Sequence, residues 1–183
     1  MPRCGTHTLL RVLSQRYQGR QIVAEWRAGV RDIHANVVPS EYEDYFRWTC
    51  CRNPYTRVAS AFWYLRNRRK SMPKHRDWPC LWDFEAFCHC IVDRLNQPRR
   101  GPLWPMWQQL GDQRIDRIIR VEHFLDDYMT LPFWRGEMTL PRLGKSKPKK
   151  PLKGILTPQC VDLIQQWAGP DFGRFGYSKT PPI

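Results

Sequence analysis

No apolar run in this chain approaches the roughly 18–20 residues that a membrane-spanning helix needs. The opening Met1-Pro2-Arg3-Cys4-Gly5 does not read as a signal peptide either, so the expectation is a soluble, unprocessed, cytoplasmic protein. Acidic residues are scarce: 17 Asp+Glu stand against 30 Lys+Arg, leaving a formal charge of +13. That imbalance calls for an anionic partner, be it a nucleotide, a sulfated or carboxylated glycan, nucleic acid or a membrane surface, and charge alone does not choose. The pattern Gly-x-x-x-x-Gly-Lys-Ser/Thr is absent, which excludes a nucleoside-triphosphate loop. His75, Cys80, Cys88, His89 and Cys90 crowd together in sequence, yet no Cys-x₂₋₄-Cys pair is matched by a second one. Cys88 and Cys90 also fall on different helix faces, so core cysteines are the simpler account and no metal is expected. Seven cysteines, with Cys50 next to Cys51, make a poor secreted disulfide framework and point to reduced thiols. Nor is there an internal repeat, and 183 residues that are 42% apolar fit one core, a single domain over 1–183.

What is present centres on Phe46 to Leu65. Tyr45 to Cys51 is aromatic and β-favouring without Gly or Pro, which predicts a short buried strand. Asn53 suits a helix N-cap and Pro54 the first helical position, while Val58, Phe62 and Leu65 recur on one face of the helix that follows. Arg52 then lies at the strand's carboxyl end and Ser60 about two turns into the helix. A guanidinium beside a helix N-terminus is a recipe for binding a phosphate, although a plain strand–helix junction with a surface arginine would read the same way.

The start of the chain offers a second such recipe. Pro2-Arg3-Cys4-Gly5-Thr6-His7-Thr8-Leu9 places a cation, a glycine turn and two hydroxyls ahead of a helical pattern in Leu9, Leu10, Leu13 and Tyr17.

The remaining chain alternates short strand and helix signals. Gln21 to Trp26 reads as a strand, Gly29 to Tyr42 as loop with His34, and Arg66 to Pro79 as an exposed basic loop. Leu81 to Leu95 is an amphipathic helix that Asp83 can cap, with Phe84, Phe87, Cys88, Ile91, Val92 and Leu95 at helical spacing. Gln97 to Leu110 is a proline-broken aromatic loop leading into a short helix, its Trp104 and Trp107 suited to packing or to stacking on a ring. Ile115 to Val121 is the next strand, and a helix follows Glu122. Thr130 to Gly154 has no helical period and holds five lysines, so 130–154 reads as a flexible basic segment. Thr157-Pro158 begins a last helix with Val161, Ile164 and Trp167 inside and Gly169-Pro170 at its end. Strands alternating with helices argue an α/β fold with a mainly parallel sheet, and both anion motifs sit where such sheets bind ligands.

Arg52-Asn53-Pro54-Tyr55-Thr56-Arg57-Val58-Ala59-Ser60 resembles the 3′-phosphate motif of sulfotransferases that use 3′-phosphoadenosine 5′-phosphosulfate, especially the carbohydrate-type families. Pro2 to Thr8 is similar to their 5′-phosphosulfate loop, with Arg3 in place of the usual lysine and His7 in place of a hydroxyl residue. Arg117-Ile118-Ile119-Arg120-Val121-Glu122 and Asp171-Phe172-Gly173-Arg174-Phe175-Gly176-Tyr177 resemble later elements of the same family. The resemblance implies a P-loop-like three-layer domain. In the family a buried strand feeds the phosphate loop; only Met1 precedes Pro2, so a sheet lacking that first strand is expected. It further implies that Arg3, Cys4, Gly5, Thr6, His7 and Thr8 hold the phosphosulfate, that Arg52 and Ser60 hold the 3′-phosphate, and that Arg3 also stabilises the transferring group. His34 matches the family's general base, with His7 as the rival. The basic segment would close as a lid, and the acceptor would be a hydroxyl, with a glycan among the candidates. Two other readings stand beside this one: a nucleic-acid-binding protein using its basic surface and tryptophans, and a truncated, inactive relative that only binds nucleotide.

Overall fold

The computed structural model describes residues 44–68, 79–95, 104–134, 136 and 151–183. In chain order these hold strand β1 (Trp48–Cys51), helices α1 (Pro54–Arg68), α2 (Phe84–Asp93) and α3 (Met106–Leu110), strand β2 (Arg117–Arg120), and helices α4 (Phe124–Met129) and α5 (Pro158–Phe175). The described residues therefore form an α/β arrangement with a small parallel sheet of two strands. The chain divides into two units, one of Met1–Arg52 with Gln109–Lys145, the other of Asn53–Gln108 with Ser146–Ile183.

In the first unit β1 and β2 run parallel, pairing Trp48 with Arg117, Thr49 with Ile118, Cys50 with Ile119 and Cys51 with Arg120. Thr49, Cys50 and Cys51 are all buried, the mark of a strand covered on both faces, whereas on β2 only Ile119 is fully buried. The strands are shorter than the sequence suggests because the pairing starts only at Trp48 and Arg117. Just before it, Asp116 closes the ladder: its carboxylate accepts from the Arg47 N–H at 2.8 Å and its own N–H donates to the Arg47 carbonyl at 2.8 Å. Phe46 and Trp48, two residues apart and so on one side of the strand, both meet Phe133, with ring centroids 6.4 and 6.3 Å away. After β2 a 3₁₀ turn, Val121–His123, precedes α4, whose Tyr128 is fully buried. Asp127 reaches back from α4 to Arg120, accepting from Nε and Nη2 at 2.9 Å each and from the backbone N–H at 2.8 Å. That pairing holds its carboxyl below the usual carboxylate range.

The second unit is helical. Asn53 caps α1 as its position predicts: its side-chain oxygen accepts from the Tyr55 N–H at 3.0 Å, and its carbonyl accepts the first helical bond from Arg57 at 2.9 Å. Val58, Phe62 and Leu65 are buried, but so are Tyr55, Ala59, Ala61 and Trp63, so α1 is covered almost all round and forms the centre of this unit. The helix runs on to Arg68, further than a basic loop beginning at Arg66 would allow. Arg66 lays its guanidinium over Phe62 and Trp63 at 5.6 and 5.5 Å, covering apolar surface with its stem and rings with its charge.

Helix α2 starts at Phe84, capped by Asp83, which accepts from the Ala86 N–H at 2.9 Å. Leu81 belongs instead to a separate 3₁₀ turn, Pro79–Leu81, packed against it. Phe84, Phe87, Cys88 and Ile91 face inward, and the rings of Phe84 and Phe87 lie 5.3 and 5.4 Å from that of Phe62. Thr157 caps α5 by accepting from the Cys160 N–H at 3.2 Å, and its hydroxyl donates to Glu85 of α2 at 2.7 Å. The expected end of this helix at Gly169-Pro170 coincides with a break in α5, after which a second helical segment follows. The helix kinks at Ala168 (φ −120°, ψ 20°) and continues to Phe175. Pro170 is tolerated because, two residues beyond the kink, it lies in the first turn of the new segment, where no intrahelical donor is needed. The stop comes at Gly176, whose φ of 69° is the left-handed conformation glycine adopts freely. There Gly176 N–H donates to the Gly173 carbonyl at 3.4 Å and Tyr177 N–H to the Phe172 carbonyl at 2.8 Å, closing a Schellman motif.

Candidate functional site

The junction singled out by the sequence takes the expected local form. β1 ends at Cys51, Arg52 follows it, Asn53 caps, Pro54 opens α1, and Ser60 lies two turns in. The division between units falls between Arg52 and Asn53. Arg52 is half-buried and Ser60 is buried at 7% exposure.

The start of α1 spends part of its anion-binding capacity on itself. Pro54 has no N–H, that of Tyr55 is taken by the Asn53 side chain, and that of Arg57 by the Asn53 carbonyl. Thr56 likewise turns its hydroxyl inward, donating to the Asn53 carbonyl at 3.1 Å. Recognition of an anion here would rest mainly on side chains rather than on the bare helix terminus.

The second arginine of the motif has a role that spacing alone does not reveal. Arg57 is 1% exposed, donates from Nη2 to the Trp104 carbonyl at 2.6 Å, and holds its guanidinium over Trp167 at 5.2 Å from the ring centroid. Among the described residues its Nε and Nη1 have no hydrogen-bond partner. Asp171 of α5, itself fully buried, lies within the field of the Arg57 charge. Asp171 accepts from the Met106 N–H at 2.8 Å and the Trp107 N–H at 2.6 Å, so one carboxylate satisfies both donors at the start of α3. Burial pushes its carboxyl above the ordinary value; Arg57 and the two N–H groups pull the other way. Arg57 and Asp171 therefore organise the second unit from within. The sequence carried a faint signal for both: each is a charged residue set in an otherwise apolar helical pattern.

The tail is anchored close by. The Tyr55 hydroxyl donates to the Lys179 carbonyl and accepts from Gln165 Nε2 at 2.9 Å, and the Tyr55 ring meets Phe172 at 5.4 Å. Glu122 is exposed in the 3₁₀ turn after β2. Arg3, Cys4, Gly5, Thr6, His7, Thr8 and His34 lie outside the described residues, as do His75 and most of the 130–154 segment. No group of three or more metal-binding side chains occurs among the described residues, and no helix there is long and apolar enough to cross a membrane.

Compared with protein-family models, with curated proteins and with solved structures, the chain gives no match in any of the three.

Proposed function

We propose that this protein is a sulfotransferase that moves a sulfuryl group from 3′-phosphoadenosine 5′-phosphosulfate to an acceptor hydroxyl, a glycan being one candidate acceptor. The observation that carries the reading is the junction itself: strand, Arg52, capping Asn53, Pro54 and helix with Ser60, in the order the resemblance requires. In this reading Arg52 pairs with the 3′-phosphate through charge-assisted hydrogen bonds and Ser60 donates to it. Arg3 and the loop from Cys4 to Thr8 hold the 5′-phosphosulfate and stabilise charge on the leaving phosphate oxygen. His34 takes the acceptor proton, with His7 as the alternative base. The acceptor oxygen attacks sulfur as the bond from sulfur to the bridging phosphate oxygen breaks, leaving 3′-phosphoadenosine 5′-phosphate. A P-loop-like three-layer domain belongs to the same proposal, as does a cytoplasmic location.

Calorimetric titration with 3′-phosphoadenosine 5′-phosphate tests it. Arg52→Ala is expected to weaken binding roughly 10- to 100-fold, the worth of a charged hydrogen-bonded pair. His34→Ala is expected to keep that affinity and lose turnover, measured as transfer of labelled sulfate. Equal affinity in wild type and Arg52→Ala would overturn the assignment. Binding shared by any polyanion and falling steeply with salt would instead favour the nucleic-acid reading suggested by the +13 charge.

A further inference from the structure

Beyond Gly176 the chain folds back on the second unit as a short strap. Tyr177 starts it, with its N–H on the Phe172 carbonyl at 2.8 Å and its side chain packed against the core. Ser178, Lys179, Thr180, Pro182 and Ile183 are exposed. Past Tyr177, among the described residues, every hydrogen bond that ties the strap to the rest of the unit ends on one atom, the Lys179 carbonyl oxygen. The Tyr55 hydroxyl of α1 donates to it, Gln165 Nε2 of α5 donates to it at 3.2 Å, and Gln165 Nε2 also reaches the Tyr55 hydroxyl at 2.9 Å. Two further bonds, Thr180 N–H to Ser178 Oγ and Ile183 N–H to the Pro181 carbonyl, each 3.0 Å, stay inside the strap. A segment held at a single point opens at the cost of one or two hydrogen bonds, far below that of unfolding the unit. Tyr55 carries the consequence to the start of α1. It is fully enclosed, its ring lies 5.4 Å from that of Phe172, and its N–H is the one that the Asn53 side chain accepts at 3.0 Å. The same residue therefore serves the helix cap with its backbone and the strap with its phenol.

We propose that residues 177–183 are a strap that closes on the first turn of α1 with Tyr55 as its latch, and that closure is coupled to anion binding at the Arg52–Ser60 segment. The coupling rests on the reading of that segment as the 3′-phosphate site. Closed, the strap fixes the Tyr55 side chain and, through it, the turn that Asn53 caps. Open, the phenol retains Gln165 but loses its acceptor, and the first turn of α1 is freer to move. A phosphate gripped by Arg52 and Ser60 needs that turn in place, so it favours the closed form, and closure favours the phosphate to the same degree. Affinity barely moves while the closed form dominates, because it is reduced only by the fraction of chains that are competent. The population of the open form is where the coupling shows.

Trypsin reads the open form directly. To cut after Lys179 it must take into its own oxyanion hole the carbonyl that Tyr55 and Gln165 hold, so cleavage of the Lys179–Thr180 bond tracks the open fraction. The full chain is digested briefly at a low protease ratio, with and without saturating 3′-phosphoadenosine 5′-phosphate. Initial rates at Lys179 and at Arg174, in the last turn of α5, are followed by mass spectrometry. In wild type the nucleotide is expected to slow cleavage at Lys179 roughly five-fold, within the usual span of coupling between sites. Tyr55→Phe and Gln165→Leu, each shown to be folded by circular dichroism, should raise the nucleotide-free rate roughly 3- to 10-fold, the worth of one hydrogen bond, with the Arg174 rate unchanged. In Tyr55→Phe the protection by nucleotide should shrink while its affinity in calorimetry stays within about two-fold. Equal Lys179 rates in wild type and both variants, or a parallel rise at Arg174, would overturn the strap. Nucleotide that binds in calorimetry without slowing the cut would overturn the coupling and leave the sulfotransferase reading standing. No binding at all would sink that reading and the coupling with it, while the ratio of variant to wild-type rates still decides the latch.

Discussion

The two units keep their charges in opposite ways. In the first, acids sit near the surface and finish backbone ladders: Asp116 closes the end of the β1–β2 pair and Asp127 ties α4 to Arg120. In the second, a cation and an acid are enclosed among aromatic rings, Arg57 against Trp167 and Asp171 against the start of α3. Solvent screens the first kind, so each pair adds little and can be lost singly. The second kind is committed: an enclosed charge stripped of its partner has nowhere to be hydrated. The two acids accordingly move in opposite directions, Asp127 held down chiefly by its hydrogen bonds from Arg120 and Asp171 pushed up chiefly by burial.

The sharpest break of this contrast is Asp171→Ala. It removes the acceptor that the Met106 and Trp107 N–H groups share and a buried negative charge that Arg57 favours, and we expect a loss of about 2–4 kcal/mol in denaturant unfolding. The same change made in an Arg57→Met background should cost at least about 1 kcal/mol less, because the cation that favours the carboxylate is gone; full additivity would mean that the two groups do not share one network. A smaller effect is expected at the cap of α1. Asn53→Ala should remove about 1 kcal/mol, and Asn53→Asp should restore most of it, which separates loss of the cap from loss of packing. Smallest is Asp127→Asn, at below about 1 kcal/mol, since Arg120 is 41% exposed and screened. Its pH dependence carries a definite sign. A carboxyl lowered by folding stabilises above its unfolded value near 4, and that contribution disappears as pH falls through the lower folded value. Wild type and Asp127→Asn should therefore differ at pH 6 and converge on acidification. For Asp171, whose carboxyl is raised, the contribution is complete below about 4 and is lost as pH rises through the folded value. Matching pH profiles for the two acids would erase the distinction between the units.

Much of this architecture could be read from local chemistry. Asn53-Pro54, Asp83 and Thr157-Pro158 announced three helix starts because a capping side chain needs only the N–H groups two or three residues ahead of it. Phe84, Phe87, Cys88 and Ile91 announced an inward face because 3.6-residue periodicity is a property of the helix alone. The break before Gly169-Pro170 was legible in the same way, but the second helical segment beyond it was not. Gly169-Pro170 is a stop signal in isolation, yet packing of Ala168, Asp171, Phe172 and Phe175 carries the helix past a kink to Gly176. Of the candidate site, Arg52 and Ser60 took the local positions their spacing implied. Arg57, in the same motif, turned out to be an interior residue, of which its apolar neighbours in sequence gave only a faint sign.

The sequence by itself determined the capping residues at which three helices start, which helix faces are apolar, and that the chain is strongly basic, since each of these depends on composition or on residues a few positions apart. Only the tertiary structure decided which charges are enclosed and that Asp171 serves a helix start 65 positions upstream of it in the chain. Such pairings depend on what the fold brings close and shields from water, and the strength of a charge is set by that surrounding rather than by its place in the chain.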